Sequence, residues 1–141
     1  MKKLSIIAII SGFLFDTVGS TVTGFLYGIA WAIFKVATGT SAKDISSPAY
    51  VQEHLYNDPL SITFLLMIGL LFTVMGGALT GWLAPASSRL LNASIVGGID
   101  IVLGLFMASS LPIWYNVVSF IMCIPCALAG AYLIKLIKSE V

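Results

Sequence analysis

Charge is what this chain has least of. Only 9% of its 141 residues are Asp, Glu, Lys or Arg, where soluble domains carry about a quarter. Six acids and seven bases leave a net charge of +1, so no nucleic-acid surface and no polybasic lipid-binding patch is expected. Histidine occurs once, at His54 beside Glu53 and near Asp58, and cysteine twice, at Cys123 and Cys126. A metal centre needs several ligands, so none is expected, and His54 reads as a solvated loop residue. Phosphate-cradling glycine loops, nucleophile elbows and zinc signatures are all missing, and no cofactor is implied. No repeat of solenoid length occurs either.

What the chain has in quantity is apolar surface. Hydrophobic residues make up 59% of it, more than a core of this size can hide from water, and the lipid bilayer is the expected partner. Four apolar stretches cover residues 4–34, 60–84, 90–111 and 113–134; Asp16 is the only charge in the first and Asp100 the only one in the third. A spanning helix needs roughly 20 apolar residues. The reading is therefore all-α: one domain over 1–141, an integral membrane bundle of four transmembrane helices. The first stretch, at about 1.5 Å per residue, is longer than the bilayer needs and must tilt, bend or project. Lys2 and Lys3 before an apolar run also fit a secretory leader. No Ala-type cleavage site follows, however, and the run continues past Asp16, so the stretch is expected to remain as a span.

Lys2, Lys3, Arg89, Lys135 and Lys138 all fall at one end of the four stretches. The positive-inside rule then predicts both termini in the cytoplasm and the segment 36–59 outside. Trp31, Trp114 and Tyr115 suit the outer boundary, and Trp82 and Tyr132 the inner one. Pro85 after Ala84 breaks the second stretch from the third, and Pro112 is expected to open the last helix. Within 36–59, Thr40, Ser41, Ser46, Ser47 and Pro48 read as turn, and residues 49–56 as a short interfacial helix.

Small residues recur at four-residue spacing. Gly12, Asp16, Ser20, Gly24, Gly28 and Ala32 share one ridge of the first helix; Gly69, Thr73, Gly77 and Gly81 share one of the second; Gly97, Gly104 and Gly130 add to the third and fourth. Helices in lipid associate through such close approaches. These faces predict tight packing within the bundle, with a homodimer or other membrane subunits as the alternative use.

Asp16 and Asp100 lie about 18 and 15 Å from the same end of their helices, so the two carboxyls are expected at matching depth. A bare carboxylate there costs about 2.5–3.5 kcal/mol on the insertion scale, and no Lys, Arg or His shares the level. With hydroxyls at Thr17, Ser20, Thr21 and Thr23 nearby, the pair reads as a proton- or cation-binding site, or as two protonated acids joining helices.

Three resemblances follow. The run Asp16, Gly19, Ser20, the pair Gly76–Gly77 with Leu83, Ala84 and Pro85, the run Leu91, Asn92, Ala93 with Gly97, and Pro125 with Gly130 together resemble small four-helix proteins of the bacterial inner membrane. That likeness implies the fold and the compartment and carries no activity. The run from Asp16 through Thr17, Gly19, Ser20 and Thr21 to Val22 looks like the first helix of small multidrug resistance transporters. It implies for Asp16 the role of a membrane carboxylate that binds proton and cationic drug in turn. The acid there is Glu, though, and this chain has a long loop and no Trp or Tyr in its third helix. Cys123-Ile124-Pro125-Cys126 is similar to the C-x-x-C pair of vitamin K epoxide reductase-type enzymes, which implies redox cycling, although the second cysteine pair of that family is missing. The leading expectation is a non-enzymatic structural or accessory membrane component. The alternatives are a proton- or cation-linked transporter or channel subunit using Asp16 and Asp100, with Thr17 and Ser20, and a thiol oxidoreductase using Cys123 and Cys126.

Overall fold

The computed structural model describes residues 4–107 and 111–139. Among them there is no strand. Four helices are long and apolar enough to cross a membrane, which makes the protein a multi-pass membrane protein. The first, α1 (Ile6–Ala37), begins where Ser5 accepts a hydrogen bond from the Ala8 N–H at 3.4 Å. It runs past the expected end at 34 and carries Lys35 in its last turn. Hydropathy falls at Lys35, but the helix stops only where backbone chemistry stops it. Gly39 takes φ +98°, its N–H reaches Val36 O, and the Thr40 N–H reaches Lys35 O, both at 3.0 Å. These paired bonds satisfy the last carbonyls, and only glycine adopts that φ without strain.

The connector is more ordered than a loop. It folds as α2 (Ala42–Ile45), α3 (Pro48–Val51) and a π-helical turn, Gln52–Tyr56, that buries Leu55. The short helix expected at 49–56 is thus split between α3 and the wider turn. Asp58 then caps α4 (Pro59–Leu83), accepting from the Ser61 N–H at 2.8 Å, with Pro59 in the first turn where its missing donor costs nothing. Tyr27 of α1 donates to Ser61 Oγ at 3.0 Å and ties the two helices together at this end.

After Pro85, a 3-10 turn at Ala86–Ser88 leads into α5 (Arg89–Met107). The third stretch was expected to reach 111. The described part of the helix runs to Met107, residues 108–110 lie outside the described residues, and Leu111 is in a bend. The last helix, α6 (Ile113–Ser139), starts one residue after Pro112 and continues past the expected end at 134 with Pro125 inside it. Lys138 accounts for part of that extension. Its Nζ donates to Trp82 O at 3.0 Å and sits 4.4 Å over the Trp82 ring, so the cation closes the C-terminus of α4.

α4 is the hub, packing against α1, α5 and α6, whereas α1 and α6 scarcely touch. The seams are made by missing side chains. A Cβ placed on Gly77 would stand 2.6 Å from Ala127 Cα, one on Gly130 would stand 2.6 Å from Ala78 N, and one on Gly97 would stand 2.8 Å from Ile124 Cα. Gly12 presses on Gly76 and Thr80, Gly81 on Ala131, and Gly104 on the Phe120 ring. The expectation of tight packing holds at these positions and fails at others. Added Cβ atoms at Gly28 and Gly69 would meet nothing within 4 Å, and one at Gly24 only Leu65 at 4.0 Å. Those three glycines line open space instead.

At the end that carries the termini, Asn92 is fully buried and joins two helix starts. Its Oδ1 accepts from the Ser5 N–H at 3.0 Å, and its Nδ2 donates to Ser88 O at 2.9 Å and Ser88 Oγ at 3.1 Å. The outer surface is apolar: Phe106 is 82% and Ile113 83% exposed, as a chain solvated by lipid requires.

A buried acid pair at the foot of a vestibule

Asp16 lies about a third of the way along α1 on the ridge that meets α4, and only 5% of its surface is exposed. Asp100 enters from α5. The two carboxyls lie within hydrogen-bonding reach of each other, and the Thr73 hydroxyl on α4 is the second polar neighbour of Asp16. The depth match inferred from sequence is therefore a meeting of side chains. Oδ2 of Asp16 and Oδ2 of Asp100 are both shielded from solvent, as two adjacent carboxyls that titrate as a pair can be.

Both acids line a cavity of about 340 Å³ between α1, α4, α5 and α6. Thr17, Ser20 and Thr73 border it, with Tyr115, Ser119 and Cys123 from α6. Ser20 Oγ donates to Asp16 O at 2.8 Å, and Thr73 Oγ1 lies 3.1 Å from Gly69 O.

A second cavity of about 670 Å³ adjoins the first and shares Ser20, Thr21, Gly69, Leu111 and Tyr115 as lining. It extends from Tyr115 along α1 and α4 toward the connector. Tyr27 and Trp31 form part of its wall, with Gly24 and Gly28 opposite larger side chains, and Leu55 and Tyr56 of the connector close its top. No Lys, Arg or His lines either cavity. Toward the termini the acids meet packed structure, with Gly12 against Thr80, Gly97 against Ile124, and Ala8, Ala93 and Val96 fully buried. The acid pair thus has open space on the connector side and close packing on the other.

Of the residues singled out by sequence, Asp16, Asp100, Thr17 and Ser20 come together. Cys123 joins them on the cavity, while Cys126 does not line it, and both thiols are free. His54 stacks on Tyr50 with ring centroids 4.0 Å apart, and its Nδ1 lies 3.2 Å from Tyr50 O. Sequence reasoning missed the contribution of α6. Asn116, Ser119 and Cys123 recur at helical spacing within an apolar segment, a polar stripe that marks an inward face. Tyr115, expected at the membrane boundary, instead lines the acid cavity.

The fold and the acid pair define a multi-pass membrane protein with an internal carboxyl site. Comparison with family models, curated proteins and solved structures finds no match.

Proposed function

We propose that the protein is a proton- or cation-linked transporter or channel subunit in which Asp16 and Asp100 form the ion-binding site. The observation that carries this reading is the meeting of two buried carboxyls, with no basic side chain beside them, on a cavity that adjoins a larger vestibule. No Lys, Arg or His lines either cavity to pair with the acids. Ionisable groups inside a membrane bundle mark ion pathways, and two adjacent carboxyls titrate as a unit that can hold or release a proton. A purely structural or accessory role leaves the vestibule unused. A thiol oxidoreductase reading places only Cys123 on the cavity. The charge bias in the sequence puts the termini in the cytoplasm, so the vestibule faces outward from a bacterial inner membrane.

Infrared spectroscopy of the protein in lipid tests the reading. A carboxyl C=O band is expected to titrate with pH, and Asp16→Asn and Asp100→Asn are each expected to alter or remove it. Vesicles carrying the protein should move protons or cations, and those carrying either variant should not. Full flux through both Asn variants overturns the proposal.

A further inference from the structure

A third cavity, of about 650 Å³, opens where the end of α1, the connector and the start of α4 meet. We propose that it binds the headgroup of a phosphatidylethanolamine-type lipid from the leaflet on the connector side, with the phosphate at Lys35, the primary ammonium at Glu53 and Asp58, and the acyl chains left in the bilayer. The inference stands apart from the acid pair and goes beyond the ion-site reading. Its basis is the meeting of opposite charges in one concavity. Lys35 comes from the last turn of α1, Glu53 from the π-helical turn and Asp58 from the cap of α4, and all three line the cavity. A ladder of rings holds its walls together. Lys35 Nζ lies 5.8 Å from the centre of the Trp31 ring, Trp31 and Tyr50 have centroids 6.3 Å apart, and Tyr50 stacks on His54 at 4.0 Å. The connector's charges are thereby fixed against α1 rather than carried on a free loop.

The surroundings choose a lipid. Phe34 and Leu60 also line the cavity, and 63% and 79% of their surfaces are exposed on helices that the bilayer solvates. An occupant thus has a charged chamber for one end and hydrocarbon for the other. Tyr27 and Trp31, also on the wall, are of the types that sit at the level of lipid headgroups. The charges choose the headgroup. All phospholipids offer a phosphate to Lys35. The two carboxylates outnumber that cation, so a headgroup of net negative charge meets repulsion. A headgroup with a cation at its far end instead gives each charge an opposite neighbour. Carboxylates only accept, and a primary ammonium brings three donors. A trimethylammonium brings none and depends on an aromatic face, and Lys35 already covers that of Trp31.

The test offers the full chain in detergent an equal mixture of phosphatidylethanolamine, phosphatidylcholine and phosphatidylglycerol with identical acyl chains, and counts bound lipids by native mass spectrometry. Phosphatidylethanolamine is expected to be retained at least about fivefold over each of the others, the effect of one hydrogen bond of average net strength. Two variants separate the ends of the head. Glu53→Gln, at an exposed position, is expected to erase the preference over phosphatidylcholine, because the carboxylate that tells the two apart is gone. Lys35→Gln should instead lower retention of both, because both carry the phosphate. Lys43→Gln, which removes a cation outside the cavity, should change neither. Glycerophosphoethanolamine, the same head without chains, should not displace the lipid at equal concentration. Equal retention of the three lipids, a preference that survives Glu53→Gln, or a loss with Lys43→Gln as large as with Lys35→Gln overturns the proposal. Displacement by the chainless head assigns the cavity to a soluble phosphoamine and overturns it as well.

Discussion

Single polar side chains in this protein do work that apolar neighbours cannot share. Asn92 is the plainest case: fully buried, it serves the Ser5 N–H, Ser88 O and Ser88 Oγ together. Asn92→Ala strands a buried N–H at the start of α1 and is expected to destabilise the fold by about 1–3 kcal/mol, seen as a lower unfolding midpoint in detergent with no loss of helix content beforehand. Asp58 is tuned by its neighbours. The Ser61 hydroxyl, then the Ser61 N–H, hold its carboxyl below the usual 3.8. A depressed folded-state value means that Asp58 stabilises the protein above the ordinary carboxylate range and loses this contribution as the pH falls through its folded value. Asp58→Asn keeps a cap but cannot titrate. The difference in unfolding midpoint between native protein and variant should therefore be present near neutrality and close as the pH drops below 3.8. A difference that stays constant with pH would show that the cap acts without its charge.

Helices in this bundle are positioned by glycine, but not by every glycine that shares the spacing. On the α4–α6 seam, Gly77→Ala drives a methyl against Ala127 backbone, and overpacking of this kind costs about 1–3 kcal/mol. At Gly28 the same substitution meets nothing within 4 Å and gains up to about 1 kcal/mol from reduced backbone freedom. Opposite shifts in unfolding midpoint are thus expected from two chemically identical changes. The four-residue ridge was readable from sequence, and it marks close contacts at Gly12, Gly77 and Gly81. It could not separate these from Gly24, Gly28 and Gly69, because one sequence fixes spacing along a helix and leaves open what stands across from it. Helix ends show the same division. Apolar runs located all four spans, yet α1 extends to Ala37 because Gly39 supplies the cap, and α6 extends to Ser139 with Lys138 reaching the carbonyl of Trp82. Hydropathy sees neither device.

The molecule as a whole is asymmetric along its axis. At the termini end, glycine and alanine contacts and Asn92 close the bundle; toward the connector the vestibule opens beside α1 and α4. Depth matching brought Asp16 and Asp100 to one level from sequence alone because helical rise is regular. The vestibule was not legible, since it depends on which helices fail to touch, and Tyr115 looked like a boundary anchor because aromatic residues at span ends usually are. The asymmetry has a direct consequence for access. Thr21 lines both cavities and its side chain is exposed. In a chain whose own thiols are removed by Cys123→Ser and Cys126→Ser, Thr21→Cys should react with a membrane-impermeant maleimide applied to the connector side of sealed vesicles. Reagent on the side of the termini should leave it untouched. A control cysteine on the lipid face of α1, Leu26→Cys, should react from neither side. Modification of Thr21→Cys from the side of the termini alone would mean that the path to the acids runs through the packed half of the bundle. The glycine seam, rather than the vestibule, would then be the part that opens.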